Sequence, residues 1–136
     1  MPEHVLIIDD EPGLIAAWRF RLEAVGYEVC TASSGNAGLA AAREHKPDMI
    51  LLDVRMPDMD GFEVCRRLRL APETQGTPVI FMTANAVDHC HDEAISAGGN
   101  GFLPKPCEAA TVISAMQNLS GGGCYGADNQ ENTNAA

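Results

Sequence analysis

"DMILLDVRMPDMDG", residues 48–61, sets two opposed features side by side. Met49, Ile50, Leu51 and Leu52 make an unbroken apolar run, the pattern of a strand buried on both faces. The run passes without a spacer into Asp53, and Met56-Pro57 and two further acids, Asp58 and Asp60, follow. A carboxylate at the tip of a buried strand is costly unless something binds it or uses it.

Similar runs recur outward from this stretch, with helical patterns between them. Val5-Leu6-Ile7-Ile8 reads as a first strand, ending in Asp9-Asp10-Glu11. Pro12 suits a first helical position, where its missing N–H would be unpaired anyway. Leu14, Ile15, Trp18, Leu22 and Val25 form the inward stripe of that helix, with Arg19, Arg21 and Glu23 facing water and Gly26 ending it. Tyr27 to Ala32 is a second strand, and residues 35–45 are an alanine-rich helix broken at Lys46-Pro47.

Met49 to Asp53 is the third strand. The helix after it carries Phe62, Cys65 and Leu68 inward and Arg66, Arg67 and Arg69 outward, and "APETQGTP" (71–78) is a loop. Val79 to Met82 forms strand four and ends in Thr83-Ala84; a short helix near 87–97 stops at Gly98-Gly99, both suited to positive φ. Phe102-Leu103 is a short fifth strand, and a last helix over about 108–119 carries Val112, Ile113, Met116 and Leu119.

Five strands alternating with five helices imply an α/β fold, a doubly wound parallel sheet with the expected order 2-1-3-4-5. Ligands of such sheets sit beyond the carboxyl ends of the strands. Residues 1–119 are expected to form one domain. Residues 120–136, "SGGGCYGADNQENTNAA", lack Lys, Arg and apolar periodicity and read as a flexible tail or linker.

Composition narrows the classes. With 19 acids against 9 Lys plus Arg, the net charge of −10 argues against direct nucleic-acid binding. No span long enough for a membrane and no signal peptide is visible, so a cytoplasmic location is the default. The odd count of five cysteines, without a CxxC, suits reduced core thiols. His89-Cys90-His91 does not read as a metal site, because positions i and i+2 point apart on a helix.

On this reading Asp9, Asp10, Asp53, Thr83 and Lys105 all fall at one rim of the sheet. Each has an ordinary alternative, as a helix cap, a turn residue or a snorkelling lysine. Together they have a chemical one. Two carboxylates about 5 Å apart repel by roughly 3 kcal/mol at an effective dielectric near 20. Protons or a hard cation would relieve that, and Mg²⁺ takes one or two carboxylates while leaving room for a phosphoryl oxygen. One carboxylate could then attack phosphorus, with Thr83 and Lys105 contacting the phosphoryl oxygens.

These residues resemble the receiver domains of two-component response regulators, over about residues 3–119. "LIIDDEPGL" resembles the acidic pair after strand one, "ILLDVRMPDMDG" the phosphoacceptor segment, "VIFMTA" the switch-threonine strand and "GFLPKP" the lysine loop. The resemblance implies a flavodoxin-like (βα)5 receiver fold and a phosphoacceptor rather than an enzyme. It implies that Asp53 accepts the phosphoryl group, while Asp9, Asp10, Asp53 and the backbone carbonyl of Arg55 hold Mg²⁺. It further implies contacts of Thr83 and Lys105 to the phosphoryl oxygens, a switch through Thr83 and Phe102, and a cis bond before Pro106. Arg55 and Asn85 stand at positions that tune acyl-phosphate lifetime in this family.

The implied partners are a sensor histidine kinase or phosphotransfer protein and a downstream effector. The face of helix four, strand five and helix five is the implied contact surface, including for a possible homodimer. Three other readings stay open: a pseudo-receiver working by protein contacts alone, a phosphatase with an aspartyl nucleophile, and a flavin-binding domain. The phosphatase would need a second acid where Arg55 stands, and the acidic "DDEPG" would repel a flavin phosphate.

Overall fold

The computed structural model describes residues 3–83, 88–105 and 109–120, with the backbone alone for 88–91, 109, 119 and 120. Five strands and five helices alternate: β1 (His4–Ile8), α1 (Pro12–Ala24), β2 (Glu28–Ala32), α2 (Gly35–His45), β3 (Met49–Asp53), α3 (Gly61–Leu70), β4 (Val79–Thr83), α4 (Asp88–Ser96), β5 (Gly101–Pro104) and α5 (Ala109–Ser120). The strands are all parallel in the order β2-β1-β3-β4-β5.

The apolar runs explain why the sheet needs cover on both sides. Along each central strand, alternate residues enter opposite cores. Leu6, Ile8, Ile50, Leu52, Val79 and Phe81 face α2, α3 and α4, and they pack with Ala42, Phe62, Cys65, Leu68 and Ala94. Val5, Ile7, Met49, Leu51, Ile80 and Met82 face α1 and α5, and they pack with Trp18, Leu22, Val112 and Met116. The rings of Phe62 and Phe81 lie 5.0 Å apart in a tilted pair that joins α3 to β4.

The turns follow from local chemistry. Pro12 opens α1, Gly26 ends it at φ 103°, and Ser34 caps α2 by accepting from the Ala37 N–H. Lys46 closes α2 in the left-handed region at φ 49°, just before Pro47. Among the described residues, no helix is long and apolar enough to cross a membrane.

The helix faces differ from expectation at three places. Val25 is the C-cap of α1 and exposed rather than inward, because its backbone has already left the helix. Arg69 turns in rather than out: its guanidinium donates to the carbonyls of Gly98, Thr74 and Thr77 and to Asn100 Oδ1. Gly98 has positive φ, whereas Gly99 is small for another reason, since a Cβ there would enter the Phe81 ring. Cys65 is a buried free thiol, and Cys30 is free but only half-buried. The side chains of His89, Cys90, His91 and Leu119, together with Ala84, Asn85, Pro106, Cys107, Cys124 and residues 121–136, lie outside the described residues.

Candidate phosphoacceptor site

Asp9 directly follows β1, and its N–H extends the β1–β2 pairing by donating to the Ala32 carbonyl at 3.0 Å. Asp53 is the last residue of β3, beside Met82 of β4. Lys105 directly follows β5 and is tied to the end of β4, its N–H donating to the Thr83 carbonyl at 2.6 Å. Parallel pairing of β1, β3, β4 and β5 therefore brings residues far apart in sequence to one rim.

Carboxylate oxygens of Asp9, Asp10 and Asp53 lie within 4.8 Å of one another. Lys105 Nζ donates to Asp9 Oδ2 at 3.0 Å and to Asp53 Oδ1 at 3.3 Å. Asp9, Asp53 and Thr83 are buried, while Asp10 is exposed. Phe102 is also buried, in the core layer that holds Phe81 and Ala94. The Arg55 residue is exposed and two positions beyond Asp53.

One further acid belongs to this group and was not singled out from the sequence. Glu11 Oε1 stands 3.5 Å from Lys105 Nζ, and the Glu11 N–H donates to Asp9 Oδ1 at 2.9 Å. Its signal was the unbroken acidic triplet Asp9-Asp10-Glu11. Asp58 and Asp60 stand outside the cluster. Asp60 caps α3 through the Glu63 N–H, and Asp58 accepts from the N–H groups at the start of α2.

The electrostatics record an excess of negative charge. Burial, and then the nearby Asp9 charge, push the Asp53 carboxyl up to about 6, against the opposing pull of Lys105 and of the Arg55 N–H. At Lys105 burial works downward, but the hydrogen bond to Asp9 and the charges of Asp53 and Asp9 outweigh it and hold the ammonium above its usual value. One ammonium thus does not balance the acids around it. Hard carboxylate oxygens in close array, with the Asp53 carboxyl held above its ordinary value by burial and the Asp9 charge, suit a small divalent cation.

The loop behind Asp53 is fixed by backbone contacts. Val54 donates to the Met82 carbonyl at 3.1 Å and accepts from the Gly61 N–H at 2.7 Å. A Cβ on Gly61 would collide with the Asp53 carbonyl, so glycine is required for α3 to start this close.

A doubly wound parallel sheet with acids from β1 and β3 and a lysine from β5 at its carboxyl rim defines a receiver-type signalling domain. The family model "Response regulator receiver domain" matches residues 5–117, and the chain belongs to that family. It is 36% identical over 118 residues to the probable transcriptional regulatory protein TcrX of Mycobacterium tuberculosis, a match covering 87% of this chain and 50% of TcrX. The chemotaxis protein CheY4 of Vibrio cholerae superposes with a TM-score of 0.84 at 31% identity, over 88% of this chain and 99% of that one. The receiver domain of the sensor histidine kinase PA1611 from Pseudomonas aeruginosa, described with a magnesium ion coordinated in its active-site cleft, gives 0.82 at 28% identity, over 89% and 99%.

The chain spans about a quarter to a half of the length of the curated relatives it matches. Receiver domains are regulatory modules rather than conventional enzymes. Response regulators act with histidine kinases and effectors.

Proposed function

We propose that this receiver domain takes a phosphoryl group onto Asp53 from the phosphohistidine of a partner kinase or phosphotransfer protein. The observation that carries the reading is the bridge of Lys105 Nζ between Asp9 and Asp53 at the sheet rim. A carboxylate oxygen of Asp53 attacks phosphorus; the O–P bond forms as the donor's P–N bond breaks, leaving an acyl phosphate and a free imidazole. Lys105 neutralises an equatorial phosphoryl oxygen, and the Thr83 hydroxyl donates to another.

Asp9, Asp10, Asp53 and the Arg55 carbonyl would hold Mg²⁺. When bound, the ion supplies countercharge for the incoming phosphoryl oxygens. Asp9 and Asp10 keep the site attractive to a cation and repel free anions, which favours delivery by a docked donor over capture of loose phosphate. Slow loss of the acyl phosphate to water resets the domain.

The switch runs through Thr83 and Phe102. Phe102 already occupies its inward place here, so Thr83 drawn to the phosphoryl group would suppress outward excursions of the ring. The face of α4, β5 and α5 then presents one surface to an effector or a second copy. Residues 1–119 act as the receiver unit, and 120–136 serve as its tail or linker.

The test supplies acetyl phosphate with Mg²⁺ to the wild type and to Asp53→Asn. A single phosphoryl adduct seen by intact mass in the wild type alone is the expected result. Equal response of both proteins would remove Asp53 from its role.

A further inference from the structure

The loop between β3 and α3 is anchored to a helix that plays no part in the site as described above. Asp58 uses both of its oxygens on the start of α2: Oδ1 accepts from the Gly35 N–H at 2.9 Å and Oδ2 from the Asn36 N–H at 2.8 Å. The adjacent Met59 side chain fills the space where Gly35 has no Cβ. Ser34 already caps the same helix through the Ala37 N–H, so Asp58 takes the two helix donors that Ser34 leaves over.

This pairing spans 22 and 23 residues, and it addresses a specific weakness. Val54 is fixed by Met82 and Gly61, and Asp60 is fixed as the cap of α3. The backbone between them, which includes Arg55, gains its outside support from the Asp58 hydrogen bonds and from Met56 and Met59, which pack against the core. A loop left to order itself when its carbonyl meets a ligand loses affinity by the ordering cost; a loop ordered in advance does not.

We infer that Asp58 is a positioning residue for the cation site, latching the loop that bears the Arg55 carbonyl to the N-terminus of α2 and thereby coupling α2 to the occupancy of the site. The inference rests on the phosphoacceptor reading above. Reciprocity follows from linkage: if the latch tightens cation binding, the cation tightens the latch.

Mg²⁺ titrations by calorimetry of the wild type, Asp58→Asn and Ser34→Ala test it, with amide exchange at Gly35 and Asn36 measured in the wild type with and without Mg²⁺. Asp58→Asn keeps the shape but can no longer offer two anionic oxygens, and Ser34→Ala removes a cap of the same helix without touching the loop. Asp58→Asn is expected to weaken Mg²⁺ binding about tenfold, the lower end of the effect of losing an outer support of a metal ligand. Ser34→Ala should leave it unchanged, and exchange at Gly35 and Asn36 should slow when Mg²⁺ is added.

Equal Mg²⁺ affinity in Asp58→Asn and the wild type would overturn the positioning role. Equal weakening by Ser34→Ala would overturn it too, because helix stability alone would then be the cause. Exchange at Gly35 and Asn36 that ignores Mg²⁺ would overturn the coupling without recourse to any variant. A wild type that binds no Mg²⁺ would instead overturn the phosphoacceptor reading, and this inference with it.

Discussion

At the scale of single residues, Asp53 carries opposed demands. On the phosphoacceptor reading it must be ionised to attack phosphorus, yet burial and the Asp9 charge raise its carboxyl from 3.8 to about 6. A carboxyl whose folded value lies above its unfolded one penalises the folded state only when ionised. The penalty is absent below about pH 4, grows between about 4 and 6, and is fully present above that range. Its full size is about 3 kcal/mol, at roughly 1.4 kcal/mol for each pH unit of displacement. Asp53→Asn removes the ionisation while keeping the shape. In EDTA it should therefore melt higher than the wild type at about pH 7.5, by about 2 kcal/mol once the weaker bond to Lys105 is counted, and nearly level with it at about pH 4. A variant that is less stable than the wild type at neutral pH would mean that Lys105 compensates Asp53 in full.

At the scale of elements, the buried runs made the strands readable, because a strand covered on both faces needs apolar residues at every position. Helix faces were less readable, and α3 shows why. Arg66, Arg67 and Arg69 look equivalent in sequence. Arg66 and Arg67 pair with Glu63 on the surface and hold its carboxyl below the ordinary range. Arg69 instead fills acceptors from two loops that meet it only after folding. No local pattern announces such long-range acceptors. Arg69→Met should strand the carbonyls of Gly98 and Thr77 and cost about 2–3 kcal/mol in urea unfolding. Arg66→Met should be hard to distinguish from the wild type, since an exposed ion pair contributes little. Asp60→Ala belongs between them, losing one helix cap at about 1 kcal/mol. If the three rank otherwise, the loop clamp on Arg69 is not what secures the end of α3.

At the scale of the whole molecule, the strand order and the rim of acids were legible together, because a parallel sheet sends every strand's carboxyl end to one edge. Strand position singled out Asp9, Asp10 and Asp53 but not Glu11, and nearness in sequence alone is a poor guide to which acids share the site. Asp58 and Asp60 lie as near to Asp53 in sequence as any, yet they serve helix N-termini, while Glu11, just beyond the carboxyl end of β1, joins Lys105. The distinction matters for a chain of net charge −10. Diffuse repulsion among so many acids is relieved by any salt, whereas a site is relieved by a particular ion and saturates. Mg²⁺ at about a hundred times its dissociation constant should add about 2.7 kcal/mol by mass action. Thermal melts of the wild type in MgCl₂ and in NaCl of equal ionic strength separate the two effects. The Mg²⁺ series should rise further and level off, and the excess should vanish in Asp10→Asn, an exposed substitution that leaves the core untouched. Coincident curves for the two salts would show that the acids act only as a diffuse field.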